Sequence, residues 1–404
     1  MNTTKHNDTN ILTNVRVDSD QSVDIVMQDS CIKSIGPNLA TTLTDATCIE
    51  GHGLLVLPGL VDGHMHLDKT LTGTAWMPHR ADPKRISRIE KEKELRGVLT
   101  PVAERAANLV RCCIAHGTTA IRSHVDIDPQ LGLAHVHALA EVREQFKDLI
   151  DIQLVAFPQS GVMRVPGTAD LLDAALGDGA DLIGGIDPIM FDQDLDGQLN
   201  TLFTIAERRD VGIDIHLHDA SDNGLKEILA VCERTRAIGL QDRVTVSHGF
   251  CLGATTEDIC TSTAETMAKS GVSLVTHGGG ASPLPPVKKL RELGVTVFAG
   301  NDDVRDPWSP FGNGDMLERA MLLAWRSGYR TDADLEIAFN VASSAGAFVL
   351  GHKDHGLTVG SRADFFTVDA ETIAEAVAQR SRRELVFKSG RLVAQAGITM
   401  SANS

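Results

Sequence analysis

Eight short runs rich in β-branched residues recur along this chain: LVDGHMHL, TTAIRSHVDI, DIQLVAFPQ, DLIGGIDPIM, GIDIHLHD, VTVSHGF, VSLVTHGGG and VTVFAGNDDV. Apolar runs of this length, punctuated by Gly, Pro, Asn or Asp, read as buried strands. Most are followed by a helix-like segment, such as PQLGLAHVHALAEVREQFKDL after the second and DNGLKEILAVCERTRAIGL after the fifth. Eight such alternations predict an α/β fold, a (β/α)8 TIM barrel. A doubly wound sheet would have fewer strands and a glycine-rich phosphate loop after the first. No G-x-G-x-x-G opens a helix in this sequence, which disfavours a dinucleotide oxidoreductase.

Outside the alternation the texture changes. ILTNVRV, SVDIVMQDSCIKSIG and ATCIEGHGLLVLPG near the start read as short strands and turns. So do HGLTVGSRADFFTV and ELVFKSGRLVAQAG near the far end, with a helical TIAEAVAQ between them. The two ends are expected to form one small β-sandwich module, residues 1–58 plus 354–404, beside a barrel domain at 59–353. A length of 404 residues suits a barrel of roughly 250–300 residues plus such a module.

The net charge of -16 argues against nucleic acid or an anionic membrane as partner, because both need basic patches. It leaves a small-molecule substrate as the expected partner, with self-association open. The first ten residues, MNTTKHNDTN, lack the apolar core of a secretory signal, and no run reaches the roughly 18 apolar residues of a membrane helix. Seven cysteines without a C-x-x-C pair point to a reduced, cytoplasmic compartment, with Cys112 and Cys113 in the core.

The histidines and carboxylates of the barrel sit mainly at the C-terminal ends of the strands, the catalytic face of such a fold. His64 and His66 end the first strand, and a period of two points both imidazoles to one side. His216 ends the fifth strand and Asp302 the eighth. Three imidazoles and one carboxylate form a borderline donor set that suits one divalent metal, Zn²⁺ or Fe²⁺. Asp302 and Asp303 are adjacent, so an extended backbone would point them apart, with Asp303 turned toward the substrate or a supporting partner.

PGLVDGHMHLDK followed by HLHD, SH and NDDVRDPW resembles the amidohydrolase superfamily, and more narrowly its cytosine deaminase branch. The resemblance implies a barrel flanked by a β-sandwich from both termini and a metal held by His64, His66, His216 and Asp302. Members with two metals bridge them by a fourth-strand lysine; here that strand reads LIGGIDPIM, which favours a single metal. His248 corresponds to a histidine that contacts the attacking water or the developing charge. Gln159 matches a glutamine that reads a pyrimidine edge, and Trp308 a pocket-wall tryptophan; an amide and an aromatic wall suit a flat polar heterocycle.

One departure redirects the reading. Cytosine deaminases carry H-x-x-E on the fifth strand, whereas this chain has His216-Leu217-His218-Asp219, with a carboxylate one methylene shorter. A general acid–base must reach its proton at roughly 2.6–3.2 Å, so that methylene matters. HLHD, GGIDP, HLDK and WSPFGNGDM together resemble the N-isopropylammelide isopropylaminohydrolases, a group of s-triazine hydrolases. The resemblance implies hydrolytic removal of an amine or ammonia from a small N-heterocycle, with cytosine or a substituted cytosine as the alternative. Asp303 and His248 would handle the attacking water, and His218 or Asp219 would protonate the leaving amine. Gln159, Lys69, Asp187 and Trp308 would hold the ring, although Lys69 pairing with Asp68 or Asp187 is an equal reading. A cyclic amide hydrolase and an inactive scaffold are the rivals; the absent lysine opposes the first, the intact ligand set the second.

Other residues read as structural. His124 either supports a ligand from behind or belongs to the core, His135 and His137 fall on a helix surface, and GGG at 278–280 makes a tight loop. The run RISRIEKEKELRG reads as a solvated helix face.

Overall fold

The computed structural model describes residues 9–17, 21–43, 46–79 and 85–400. All eight predicted runs are strands: β1 (Leu60–Met65), β2 (Thr118–Asp126), β3 (Asp151–Phe157), β4 (Leu182–Ile186), β5 (Gly212–Leu217), β6 (Val244–His248), β7 (Val272–Thr276) and β8 (Val297–Ala299). They pair in sequence order, each parallel to its neighbours. Every residue of β1, β2, β4, β6, β7 and β8 is buried, as parallel strands covered on both faces must be.

The ring closes between β8 and β1. A parallel bridge joins Met65 to Asp302, and the Asp302 amide donates to the His64 carbonyl at 2.7 Å. Glycine makes that approach possible. A Cβ on Gly300 would lie 2.5 Å from the His64 backbone nitrogen and oxygen, and one on Gly63 would lie 2.3 Å from the Phe298 ring. Asp62 reinforces the seam by accepting from the amide of Asn301 at 3.0 Å and from its side chain at 2.6 Å.

Helices follow where the alternation required them, including Ala134–Phe146 and Asp222–Ala237. Cys113 is buried and Cys112 partly buried on helix Val102–Ala115, and all seven cysteines are free thiols. No helix among the described residues is long and apolar enough to cross a membrane.

The terminal segments form two further sheets. One orders strands Cys31–Gly36, Val23–Gln28, Asn10–Val15 and Thr47–Glu50; the other orders Ile398–Thr399, Arg391–Gln395, Arg383–Lys388, Phe365–Val368 and Leu55–Pro58. Leu12, Ile25 and Met27 from the first pack against Val56, Phe365 and Phe387 from the second, a core separate from that of the barrel. The helix between the C-terminal strands is Ile373–Gln379.

An ion pair ties sheet to barrel. Lys388, 2% exposed, donates to Asp364 at 2.6 Å and to Asp151, at the start of β3, at 2.7 Å. Removing one partner of a buried pair leaves uncompensated charge. Lys388→Met is therefore expected to cost about 3 kcal/mol, read as a lower denaturation midpoint. An unchanged midpoint would show that the pair does not hold the two parts together.

Candidate active site

The support beneath His64 fixes its chemistry. Ser247, at the end of β6, donates its only hydroxyl hydrogen to Asp214 Oδ1 at 2.6 Å, and Asp214 in turn accepts from Arg122 at 3.1 Å. Ser247 Oγ also lies 3.0 Å from His64 Nδ1, which must then carry the ring hydrogen. His64 Nε2 is left with a bare lone pair and no hydrogen-bond partner.

That nitrogen lies 3.3 Å from Asp302 Oδ1, and His66 Nε2 lies 3.4 Å from the same oxygen. Tetrahedral ligands about 2.0–2.1 Å from a metal sit roughly 3.3 Å apart, so these atoms stand at ligand spacing. His216, its ring stacked on Phe157 at 4.2 Å, has both nitrogens buried and unpartnered, and so does His248. His64, His216 and His248 offer ligand atoms within 4.8 Å of one another, and so do His64, His66 and Asp302. An unsatisfied buried polar group costs about 1–3 kcal/mol, so such a concentration of them fits a site that binds a cation.

Electrostatics agree with that use. Burial, helped by the charge of Lys69, pushes His66 down to about 4, and burial pushes His216 and His248 well below the ordinary histidine value. Neutral imidazoles are what a metal requires. Burial alone would raise Asp302, but the histidines around it, His248 foremost, hold it well below the usual carboxylate range.

Three of the strand-end residues have left-handed backbones: Asp187 (φ 32°), His248 (φ 73°) and Asp302 (φ 60°). Non-glycine residues adopt this region at a cost, and such strain gathers at functional sites. At Asp302 it cancels the alternation of an extended chain, so Asp302 and Asp303 both line the cavity. Burial, then the neighbouring Asp306 and Asp302 carboxyls, pushes Asp303 well up, and burial pushes Asp306 up to about 6.

The cavity encloses about 360 Å³, part of it open to solvent, and His66, Lys69, Gln159, His216, His218 and Trp308 also line it. His218 is held by Asp187 twice, through its amide at 2.6 Å and through Nδ1 at 2.8 Å. Its ring stacks on His248 at 4.3 Å. Asp187, expected against the ring of a substrate, is thus buried behind His218. Asp219 is not brought to the cavity: its carboxylate accepts from the Ser221 amide at 2.9 Å, in the turn that leads into helix Asp222–Ala237.

Lys69 pairs with neither Asp68 nor Asp187. Its ammonium donates to Gln159 Oε1, lies 3.9 Å from Glu92, and sits 5.4 Å from the Phe157 ring and 5.5 Å from that of Trp308. Asp68 is taken by His135 at 3.0 Å, so His135 turns inward while His137 stays exposed. The charged run after β1 does form a helix, α1 (Arg85–Leu95), and Glu90, Lys91 and Glu94 make a solvated face, but Ile89 and Glu92 on its other side are buried over the cavity. His124 stands in the core behind the ligand candidates, as expected. It is fully buried, with its ring 4.2 Å from His64 and 4.5 Å from His216. His277, beyond β7, lies 5.6 Å from His248. Both are strand-end histidines, a signal available in the sequence.

The relay to His64 gives a direct test. Ser247→Ala removes the group that fixes the ring tautomer, and metal affinity is expected to fall about 10–100-fold, measured by competition with a chelator. Unchanged affinity would mean that the relay does not orient a ligand.

The model of the Amidohydrolase family matches residues 48–394. N-isopropylammelide isopropyl amidohydrolase from a Pseudomonas species is 33% identical over 384 residues, which are 93% of this chain and 94% of that protein. The crystal structure of N-isopropylammelide isopropylaminohydrolase from Burkholderia multivorans superposes with a TM-score of 0.94 at 42% identity, over 97% of this chain and 100% of that one. The 5-methylcytosine deaminase of Klebsiella pneumoniae, liganded with 5-fluorocytosine, gives a TM-score of 0.82 at 26% identity, over 95% and 97% of the two chains. The chain belongs to the Amidohydrolase family and is an enzyme that hydrolyses carbon–nitrogen bonds.

Proposed function

We propose that this enzyme removes an amine, or ammonia, from a carbon of a small, readily ionised N-heterocycle of the N-alkylammelide type. The observation that carries the reading is the His218–Asp187 pair, whose imidazole lines the cavity while Asp219, at the H-x-x-E position of cytosine deaminases, does not. Likeness to the ammelide hydrolases over nearly the whole chain supports the substrate class.

His64, His66, His216 and Asp302 would hold one divalent cation, Zn²⁺ or Fe²⁺; among the described residues β4 offers no lysine to bridge a second. When bound, the cation would supply Lewis acidity that brings the ionisation of water down toward neutral pH. Asp303 and His248 orient the attacking water, and Asp303 takes its proton. Oxygen bonds to the ring carbon, and the exocyclic carbon–nitrogen bond then breaks. The leaving nitrogen must be protonated, because an amide anion is too basic to depart. The His218 imidazolium delivers that proton from Nε2 while Asp187 keeps the Nδ1 hydrogen and fixes the ring, and the cycle closes when the proton held by Asp303 leaves and the imidazole is protonated again from solvent. Lys69 meets an anionic ring oxygen, and Trp308 with Phe157 walls the ring face.

The metal-reconstituted protein is tested on ammelide, N-alkylammelides, cytosine, isocytosine and 5-substituted cytosines, scoring ammonia or amine release. N-alkylammelides are expected to turn over best; turnover of cytosine alone would overturn the substrate class while leaving the hydrolase. His218→Gln and Asp187→Asn are expected to lower kcat about 10²–10⁴-fold with metal retained, and Asp219→Asn to stay near wild type. A large loss in Asp219→Asn with His218→Gln active would reverse the proton-donor assignment.

A further inference from the structure

Helix α1 is among the most highly charged segments of the chain, yet it turns a carboxylate inward. Glu92 is 6% exposed, and its Oε2 accepts two hydrogen bonds, from Gln159 Nε2 at 2.8 Å and from Trp308 Nε1 at 2.7 Å. Gln159 follows β3, and Trp308 lies in the loop after β8. One oxygen therefore joins three segments that are distant in sequence, across the mouth of the barrel. One turn earlier, Ile89 packs with Phe157, Ile186, Phe191 and Trp308. In the last turn of the helix Lys93 pairs with Asp128 and Ser160, and just beyond it Arg96 pairs with Asp126 and Asp128, so the C-terminal ends of β2 and β3 anchor it.

The consequence falls on Gln159. A primary amide has donors on one side and an acceptor on the other. With its nitrogen given to Glu92, its oxygen faces Lys69, which has only donors. Gln159 is then spent on positioning Lys69, and the wall that reads the ring edge is an ammonium between two aromatic faces. Such a wall favours a ring edge made of acceptors or carrying negative charge. It gives nothing to an edge of N–H donors.

We infer that Glu92 is a positioning residue that clamps Gln159 and Trp308 over the cavity and, through Lys69, sets its preference for oxo-rich, anionic rings. Only the kinetic arm of the test rests on the reaction proposed above.

Two variants, Glu92→Gln and Glu92→Ala, are compared with Glu90→Ala, an exposed residue of the same helix. All three should bind metal as wild type does. For an N-alkylammelide, Glu92→Gln is expected to raise KM about tenfold, with kcat changed much less. That is the factor expected from one charge-assisted hydrogen bond. The preference for that substrate over a neutral cytosine should fall by the same factor. A merely structural role would depress both substrates together and lower metal content.

The second arm needs no turnover. Trp76 and Trp325 are 64% and 76% exposed, and with both replaced by Phe the emission comes from Trp308 alone. Iodide quenching of that emission should rise at least about twofold in Glu92→Ala and stay unchanged in Glu90→Ala, because only the first frees the indole. If no ring on the panel turned over in the wild type, the reaction would fall while quenching still read the clamp. Equal quenching in all variants, or an unaltered substrate preference in Glu92→Gln, would overturn the clamp itself.

Discussion

The hydrogen bond from the Asp302 amide to the His64 carbonyl is the contact on which this site depends. It closes the barrel, and it also sets the carboxylate of Asp302 beside the imidazoles of His64 and His66. The short eighth strand, three residues long, could not reach this register if Gly300 or Gly63 carried a side chain. Asp62 and Asn301 grip each other across the same seam. A fold constraint and a chemical one thus share a few residues, and the left-handed turn at Asp302 is where the strain is taken up.

Below the seam the molecule is committed to keeping imidazoles neutral and correctly turned. The line Arg122, Asp214, Ser247 and His64 crosses the barrel interior without contact with solvent. It fixes one hydrogen on one ring, which a hydrophobic core could not do. Above the seam, the order of charge is different. Lys69 and Glu92 face each other among aromatic rings, and Asp187 stands behind His218. On the proposed function, the two layers would separate binding of a cation from recognition and protonation of a ring.

Much of this was legible in the sequence. The eight strands were readable because parallel strands buried on both faces leave uninterrupted apolar runs. The ligand candidates were readable because strand ends are the catalytic face, and His64, His66 and Asp302 do converge. What escaped depended on partners distant in the chain. Nothing local distinguishes Glu92 from the other charges of RISRIEKEKEL; only Gln159 and Trp308 make its burial tolerable. His135 turns inward because Asp68 waits for it. Asp219 looked catalytic by spacing, but a carboxylate just before a helix is readily captured by a free backbone N–H. Asp302 and Asp303 share a cavity against the alternation rule because a positive φ, invisible in the residue type, intervenes.

These strand ends are expected to build one cation site rather than two. The most direct measurement is anomalous diffraction from crystals of the metal-loaded protein. A single peak is expected within bonding distance of His64, His66, His216 and Asp302, about 2.0–2.2 Å from each. Two peaks about 3.5–4 Å apart, or a single peak held instead by His124 and Asp214, would contradict it.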